Sequence, residues 1–467
     1  MKLFRLAVAA SLLLAAPHAF AASPDEQTAA REMFAKIISM RTSKGNGQVP
    51  AMAAYLAAEL RKAGFAADDI HILPKDETAA LVVRYRGDGS SGKKPILFLA
   101  HMDVVDARPE DWELNPFELT EKDGYFFGRG VDDNKYGVLS LTQTFIRLKK
   151  EGFTPTRDLV LAFSGDEESG MVTTRMLAYD RKDLTDAEFA LNSDAGGGEL
   201  GPDGAAVAYG VQAAEKTFAT FDVTAKNPGG HSSRPRKDNA IYDLAHALEN
   251  IEEYQFPVMW NDITRASFAM TGAALGGEAG EAMTAFARNP NDKKAQKILA
   301  ADPATVGQTR TTCVATMLSA GHAENALPQT ATAAVNCRIF PGMSVDDVKS
   351  TLAKVIANPA LQIAVRGEPT VSPVSDMRED VTAALSKAVH ARYPDLPIGA
   401  YMESGGTDGM HFRKAGVPTL AMSPIFMKSS DMFAHGLNER IPVASFYDGL
   451  DHWMIIIKDL AGLAPSN

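Results

Sequence analysis

Residues 95–103 read Pro-Ile-Leu-Phe-Leu-Ala-His-Met-Asp, an apolar run that is followed by two polar side chains. The apolar part, residues 95–100, is typical of a buried β-strand. His101 and Asp103 are two residues apart, so both side chains lie on the same face of an extended chain. One of these side chains can therefore act as a ligand while the other holds that side chain in position.

Strands of this kind alternate with helices along the chain. Short apolar runs predict further strands at 80–85, 159–164 and 189–192, and apolar residues at helical spacing predict a helix at 136–150. This alternation is typical of an α/β domain with a central sheet. In such sheets ligands bind beyond the C-terminal ends of the strands, which is where His101 lies.

The pattern changes between residues 214 and 370. Here the order is strand, helix, strand, strand, helix, strand, which predicts a ferredoxin-like α+β module. A helix-prone stretch at about 257–307, rich in Ala and Gly, interrupts the module. We therefore expect a catalytic domain made of residues 22–213 and 371–467, with residues 214–370 inserted into it.

The N-terminus has the pattern of a secretory signal peptide, predicted at 1–21. Lys2 and Arg5 precede an apolar run at 6–16, and Ala-Phe-Ala at 19–21 fits a cleavage site. The apolar run is too short for a comfortable membrane span, so we expect no membrane anchor after cleavage. The expected location is outside the cytoplasm, in the periplasm if the source is Gram-negative. A buried N-terminal helix is the alternative.

The composition excludes several classes of function. The 467 residues, enough for two or three domains, include 47 Lys and Arg against 58 Asp and Glu, a net charge of −11 that argues against nucleic-acid binding. Two cysteines cannot build an all-thiolate zinc site or an iron–sulfur cluster, so any metal must be bound by His and carboxylates. Cys313 and Cys337 lie on runs that can pair as antiparallel strands, which allows a disulfide in an oxidising compartment; two free buried thiols are the alternative.

Four segments place metal-compatible side chains directly after a strand or at a glycine-rich turn. They are His-Met-Asp (101–103), Gly-Arg-Gly-Val-Asp-Asp-Asn-Lys (128–135), Gly-Asp-Glu-Glu-Ser-Gly (165–170) and Asn-Ser-Asp (192–194). The three consecutive acids at 166–168 repel each other unless protons or cations neutralise them. One such segment alone is usually a turn, a helix cap or a solvated loop. Their joint occurrence in one α/β domain indicates a site.

These four segments belong to a longer ordered series. It continues with Gly-Gly-His-Ser-Ser (229–233), Asn-Ala-Leu-Pro (325–328), Arg-Ile-Phe-Pro-Gly (338–342), Gly-Gly-Thr-Asp-Gly (405–409) and Ala-His-Gly-Leu-Asn-Glu-Arg-Ile (434–441). The whole series, from about residue 90 to 445, resembles the M20 family of co-catalytic zinc metallopeptidases and deacylases. The resemblance implies a di-zinc aminopeptidase-like catalytic domain with a mixed central sheet and an inserted ferredoxin-like lid or dimerisation domain.

The resemblance also implies a metal centre with two Zn²⁺ ions, for which Co²⁺ or Mn²⁺ can substitute. It assigns His101 and Asp194 to one ion, Glu168 and His435 to the other, and Asp133 to both. Counting the family pattern from Gly130 puts the bridging carboxylate at Asp133 and makes Asp132 a neighbour.

Three further residues are expected, by the same resemblance, to take part in catalysis. Glu167 corresponds to the general base that acts with a metal-bridging hydroxide. Asp103 is expected to accept a hydrogen bond from the far nitrogen of His101 and so to fix its tautomer. His231 corresponds to a histidine that stabilises the oxyanion, often from the partner subunit.

The remaining assignments concern the substrate. Asn325 and Arg338 resemble lid residues that bind the substrate carboxylate, and Gly405, Gly406 and Thr407 are expected to add backbone and hydroxyl donors. The expected activity is that of an exopeptidase, of carboxypeptidase or dipeptidase type, on small peptides. An N-acyl-amino-acid deacylase with the same mechanism is one alternative, and an inactive binding protein on the same fold is another. The resemblance also implies a homodimer through the inserted domain, and a monomer is the alternative if the helical interruption covers that surface or replaces the partner.

Overall fold

The computed structural model describes residues 21–462. The signal peptide expected at 1–21 therefore lies, except for Ala21, outside the described residues. Within residues 21–462 no helix has the length and hydropathy needed to cross a lipid bilayer.

Nineteen strands and fifteen α-helices make up the described residues. The strands are β1 (Ile70–Lys75), β2 (Thr78–Tyr85), β3 (Ile96–His101), β4 (Thr120–Lys122), β5 (Tyr125–Phe127), β6 (Leu159–Ser164), β7 (Phe189–Asn192), β8 (Gly197–Leu200), β9 (Ala206–Glu215), β10 (Thr217–Lys226), β11 (Gly230–His231), β12 (Thr312–Ala320), β13 (Ala326–Leu327), β14 (Thr330–Ile339), β15 (Gln362–Arg366), β16 (Ile398–Glu403), β17 (Thr419–Ala421), β18 (Phe426–Lys428) and β19 (Arg440–Pro442). The helices are α1 (Pro24–Ile38), α2 (Val49–Lys62), α3 (Lys135–Lys150), α4 (Val172–Arg175), α5 (Lys182–Thr185), α6 (Ala240–Glu253), α7 (Asp262–Leu275), α8 (Gly277–Arg288), α9 (Lys293–Ala301), α10 (Pro303–Val306), α11 (Val345–Ile356), α12 (Glu379–Arg392), α13 (Gly409–Lys414), α14 (Val443–Gly449) and α15 (His452–Ala461).

A ten-stranded mixed sheet forms the centre of the larger domain. Its order is β1-β2-β6-β3-β7-β17-β9-β8-β18, with β16 paired in parallel to β9. The strands β6, β3, β7 and β17 are mutually parallel. Side chains of β3 alternate between two cores: Phe98 packs with residues of α1, α2, α3, α12 and α15, whereas Leu99 packs with residues around α4, α5 and α13. Helices therefore cover both faces, and the predicted α/β class is confirmed.

The inserted segment forms a separate antiparallel sheet with the order β12-β14-β10-β15. The helices α6 and α11 share an apolar core with these strands. This is the strand order of a ferredoxin-like module. Cys313 on β12 lies directly opposite Cys337 on β14, and the two are joined in a disulfide, so the disulfide is the alternative that the structure adopts.

The helical interruption consists of α7 to α10, which lie in sequence between α6 and β12. These helices have a small core of their own, in which the rings of Phe268 and Phe286 meet edge to face with centroids 5.6 Å apart. On its other side α7 packs against β16 and β9 of the large sheet. Met270 lies so close to β16 that a Cβ added at Gly399 would be 2.8 Å from its sulfur.

Three parallel strand ends position the candidate site. The strand β3 ends at His101, β6 ends just before the acidic run at 166–168, and β7 ends two residues before Asp194. Because the strands are parallel neighbours, their C-terminal ends meet at one edge of the sheet. Segments that are far apart in sequence therefore converge there.

Candidate active site

Two histidines and three carboxylates form a compact cluster at this edge. His101 Nε2 lies 2.9 Å from Asp133 Oδ1 and 3.2 Å from Asp194 Oδ1. His435 Nε2 lies 3.0 Å from Asp133 Oδ2 and 2.8 Å from Glu168 Oε1. The two oxygens of Asp133 thus face one histidine each. The structure brings together all five side chains that the resemblance assigns to metal, with Asp133 in the central position.

The chemistry and spacing of this cluster suit divalent metal ions. Two sets of three possible ligand atoms, His101 with Asp133 and Asp194, and Asp133 with Glu168 and His435, each lie within 4.8 Å of one another. Imidazole and carboxylate ligands about 2.0–2.1 Å from a tetrahedral zinc ion are about 3.3 Å apart, close to the observed separations. The Asp132 carboxylate belongs to neither set.

The electrostatics of the cluster favour bound cations. Burial raises the pKa of Asp194 to about 7, against the opposing effect of His101. Hydrogen bonds to Asp133 and Glu168 raise the pKa of His435 to about 10. Burial also raises the pKa of Glu167 well above its ordinary value, and the charges of Asp194 and Glu168 add to the effect. So many carboxylates in one buried place bind positive charge strongly, whether as protons or as metal ions.

Asp103 contacts both His101 and the loop that carries Glu167 and Glu168, but the atoms that make these contacts differ from those expected. His101 Nδ1 donates to the main-chain carbonyl of Asp103 at 3.0 Å, while the Asp103 carboxylate lies 3.5 Å away. That carboxylate instead accepts the backbone N–H groups of Glu167 and Glu168, at 3.0 and 3.1 Å. Because a carbonyl only accepts, Nδ1 carries the proton and Nε2 is left free for a metal.

The three consecutive acids at 166–168 face different partners. The Asp166 carboxylate accepts the backbone N–H groups of Val172 and Thr173, at 2.6 and 2.8 Å, and so closes the loop on itself. Glu168 belongs to the metal-type cluster, and Glu167 lies beside it with a carboxylate oxygen within 4.8 Å of His101 and Glu168 ligand atoms. Only Glu167 and Glu168 are therefore available for chemistry.

Glu439 is a functional residue that the sequence reasoning missed. Its buried carboxylate accepts the backbone N–H groups of Asp132 at 2.8 Å and Asp133 at 3.1 Å, and the Arg129 guanidinium donates to it at 2.8 Å. It thereby clamps the glycine-rich turn that presents Asp133. Glu439 stands in the quoted motif at 434–441, but its partners lie about 300 residues away in sequence, so nothing local reveals the role.

Two backbone N–H groups of the Gly-Gly-Thr-Asp-Gly turn, which were expected to face the substrate, have other partners. The Gly405 N–H donates to Glu403 at 3.1 Å, and the Thr407 N–H donates to the buried Glu215 at 2.8 Å. These two N–H groups are therefore already engaged and do not face a substrate as free donors. All three turn residues at 405–407 nevertheless line the cavity, while Asp408 accepts the Ser164 hydroxyl at 2.6 Å beneath it.

A cavity of about 1640 Å³ connects the cluster to the inserted domain. Its lining includes Glu167, Glu168 and His435 on one side and Arg338 of β14 on the other. The Arg338 guanidinium stacks over the Phe218 ring, 4.8 Å from its centroid. A fixed guanidinium that faces a metal-type cluster is suited to bind a carboxylate.

His231 and Asn325 lie elsewhere on the inserted domain. Neither is among the described residues that line the cavity. They are neighbours, because the Ser232 N–H donates to the Asn325 carbonyl at 3.0 Å. His231 is exposed, and its Nδ1 accepts the Ser233 hydroxyl at 2.7 Å. Within this chain, then, the structure does not bring the two residues to the cluster.

Residues 97–459 match the family model described as peptidase family M20/M25/M40. The chain belongs to this family. It is an enzyme of the metallopeptidase and amidohydrolase type, so an inactive binding protein is no longer a useful alternative. It is 30% identical over 360 residues to the N-fatty-acyl-amino acid synthase/hydrolase PM20D1 of Xenopus tropicalis, with 74% of this chain and 69% of the relative covered.

Two solved structures show the same fold. The M20 family metallo-carboxypeptidase Sso-CP2 of Sulfolobus solfataricus superimposes with a TM-score of 0.71 at 18% identity, over 92% of this chain and 98% of that chain. The YXEP protein of Bacillus subtilis, a dinuclear metal-binding peptidase of the M20 family, gives a TM-score of 0.57 at 12% identity, over 93% and 98%. The predicted mixed sheet with an inserted domain is thus the architecture of M20 enzymes.

Proposed function

We propose that this protein is an exported di-zinc hydrolase that cleaves an amide bond next to a free carboxylate. The observation that carries the proposal is the position of Asp133, whose two oxygens face His101 and His435 at 2.9 and 3.0 Å, with the half-buried Glu167 beside His101 and Glu168. A carboxylate between two equivalent ligand sets is the arrangement expected of a two-metal site.

Each residue of the site has a separate role in the proposed reaction. Two bound zinc ions would polarise the amide carbonyl and lower the pKa of a water molecule. Their ligands would be His101, Asp133, Asp194, Glu168 and His435. Glu167 accepts a proton from the attacking water and delivers it to the leaving nitrogen. Arg338 binds the substrate carboxylate and so sets which amide bond lies over Asp133.

Two substrate classes share this free carboxylate. Small peptides are the first, which would make the protein an exopeptidase of carboxypeptidase or dipeptidase type. N-acyl amino acids are the second, and two observations favour them: the relative named for N-fatty-acyl amino acids, and the apolar side chains along the cavity beyond Arg338. The catalytic chemistry is the same for both classes.

We further propose that His231 and Asn325 act on the cluster of a second subunit in a homodimer. The support is their position: they are neighbours on the inserted domain and line no part of their own chain's cavity. A histidine that faces solvent without a charged partner can reach the oxyanion of another subunit's substrate.

Export is supported by the signal-peptide pattern and the Cys313–Cys337 disulfide, since such bonds persist in oxidising compartments.

The Glu167→Gln variant tests the proposed chemistry. Glutamine keeps the size of the side chain but cannot accept a proton, so kcat should fall between about 10²- and 10⁴-fold. Zinc content, measured by atomic emission on the mature protein, should stay at two ions per chain. Glu379→Gln, an exposed glutamate in the first turn of α12, is the matched control and should keep full activity. Full activity of Glu167→Gln with metal bound would contradict the proposal.

A further inference from the structure

One side of the cavity is built by the helical interruption of the inserted domain. The residues of α7 and α8 that line it are uncharged, and four of them are large and apolar: Phe268, Met270, Leu275 and Met283. We refer to these four side chains as the apolar wall. The catalytic chemistry described above uses none of them.

The helices that carry this wall are held in place. Gly272 of α7 and Gly280 of α8 approach so closely that a Cβ on Gly272 would lie 2.7 Å from the Gly280 carbonyl. Met270 is packed on Gly399 of the large sheet, and Phe268 is buried against Phe286. The wall is therefore a preformed part of the cavity.

Apolar side chains on other elements face the same space. Phe218 of β10, Met317 of β12 and Met432 line the cavity and yet are 44%, 65% and 67% exposed. Large apolar side chains that are left exposed together in a concave site mark a binding surface. Methionines are flexible and adapt to unbranched ligands of varying length. Their continuity with Glu167 and His435 in one cavity makes a substrate the natural occupant.

We propose that the apolar wall binds the long, unbranched acyl chain of an N-acyl amino acid whose carboxylate is held by Arg338. This inference rests on the proposed function and deepens it by naming the substrate class. A carboxylate at Arg338 and an amide at Glu167 account for the polar end of such a molecule. The apolar wall offers apolar contact, which suits methylene groups better than the polar backbone of a peptide.

The test is a chain-length series at a constant amino-acid head group, with acetyl, octanoyl and palmitoyl amides of the same amino acid. Each methylene that the wall buries should raise kcat/KM by about fourfold until the wall is covered. Dipeptides with the same C-terminal residue provide the second arm. They should be hydrolysed more slowly than the long-chain amides.

A matched pair of variants locates the effect. The Leu275→Gln/Met317→Gln double variant should lower the palmitoyl-to-acetyl ratio of kcat/KM by about tenfold, because both side chains line the cavity. Leu318→Gln is the control: Leu318 is 61% exposed on the same strand as Met317 but does not line the cavity. It should leave every ratio unchanged. Circular dichroism melting curves confirm that the variants are folded.

Binding separates this inference from the proposed chemistry. The zinc-loaded Glu167→Gln variant, which hydrolyses slowly, is titrated with the same amides by calorimetry, and affinity should rise with chain length. A flat or falling dependence of both binding and kcat/KM on chain length would overturn the inference while leaving the hydrolase proposal intact. Tight binding of the palmitoyl amide with no hydrolysis by the wild-type enzyme would support the wall and refute the proposed reaction.

Discussion

The metal-type cluster and the exposed pair His231 and Asn325 were predicted from the same series of motifs, but they have different positions in the structure. His101 and Asp194 are 1% and 7% exposed in their side chains and within 3.2 Å of each other. His231 faces solvent and lies outside its own chain's cavity. Within residues 21–462 the cluster has all five of its expected members, whereas His231 and Asn325 have no catalytic partner there.

The difference follows from the way each set is carried. Parallel neighbours β3, β6 and β7 must end at one edge of the sheet, so residues placed at their ends converge once the sheet forms. The inserted domain has its own sheet and core, and its position relative to the cluster is independent of those strand ends. Of the motif residues on the inserted domain, Arg338 lines the cavity whereas His231 and Asn325 do not, so a motif there does not by itself place a residue at the cluster.

A substitution at the centre of the cluster tests this difference most directly. Asp133→Asn removes a charge that faces both histidines, so zinc content and activity should both be lost, with kcat reduced by about 10³-fold or more. Asp132→Asn is the matched neighbour. Its carboxylate belongs to neither ligand set, so zinc content should stay at two ions per chain. If Asp132→Asn alone empties the site, the assignment of the bridging residue is wrong.

The exposed pair predicts a different result, which depends on a second subunit. His231→Ala should lower kcat by between about 10²- and 10³-fold and leave zinc content unchanged, because an oxyanion donor is lost. Coexpression of His231→Ala with Glu167→Gln should restore activity well above that of either variant alone. In the mixed dimer one cluster with an intact Glu167 meets an intact His231. Failure of this complementation in a dimer would mean that His231 does not act across subunits.

The smallest predicted effect concerns His452, a buried histidine of the larger domain that forms no hydrogen bond with a carboxylate among residues 21–462. Burial, with the positive charge of Arg392, lowers the pKa of His452 to about 3. The unfolded chain protonates this histidine below about pH 6.5 while the folded protein does not, so its contribution lowers stability as the pH falls from 6.5 towards 3. Between pH 7 and 5 the loss should be about 2 kcal/mol.

Urea unfolding of His452→Gln and wild type at both pH values measures this contribution. The variant should lose about 2 kcal/mol less than wild type over that interval. His246→Gln, which changes an exposed histidine of α6, is the control and should behave as wild type. Equal losses in all three proteins would show that folding does not lower the pKa of His452.

Several hydrogen bonds in the site could not be predicted from the sequence. Asp103 was expected to orient His101 through its carboxylate, but the main-chain carbonyl does so and the carboxylate holds the loop of Glu167. Glu439 has no local pattern that predicts a clamp on the turn before Asp133. The N–H groups of Gly405 and Thr407 were expected to face a substrate, but two glutamates of the protein accept them. Each of these contacts is decided by residues far away in the chain.

The sequence by itself determined the class of fold, the family and the residues that form the cluster. The fold class follows from the local hydrophobic pattern, whereas the family and the cluster residues follow from the resemblance of an ordered series of short motifs to the M20 family. The tertiary structure alone decided which residues clamp the turns and that the helical interruption lines the cavity. These depend on the packing of distant segments, whose contacts no short segment specifies.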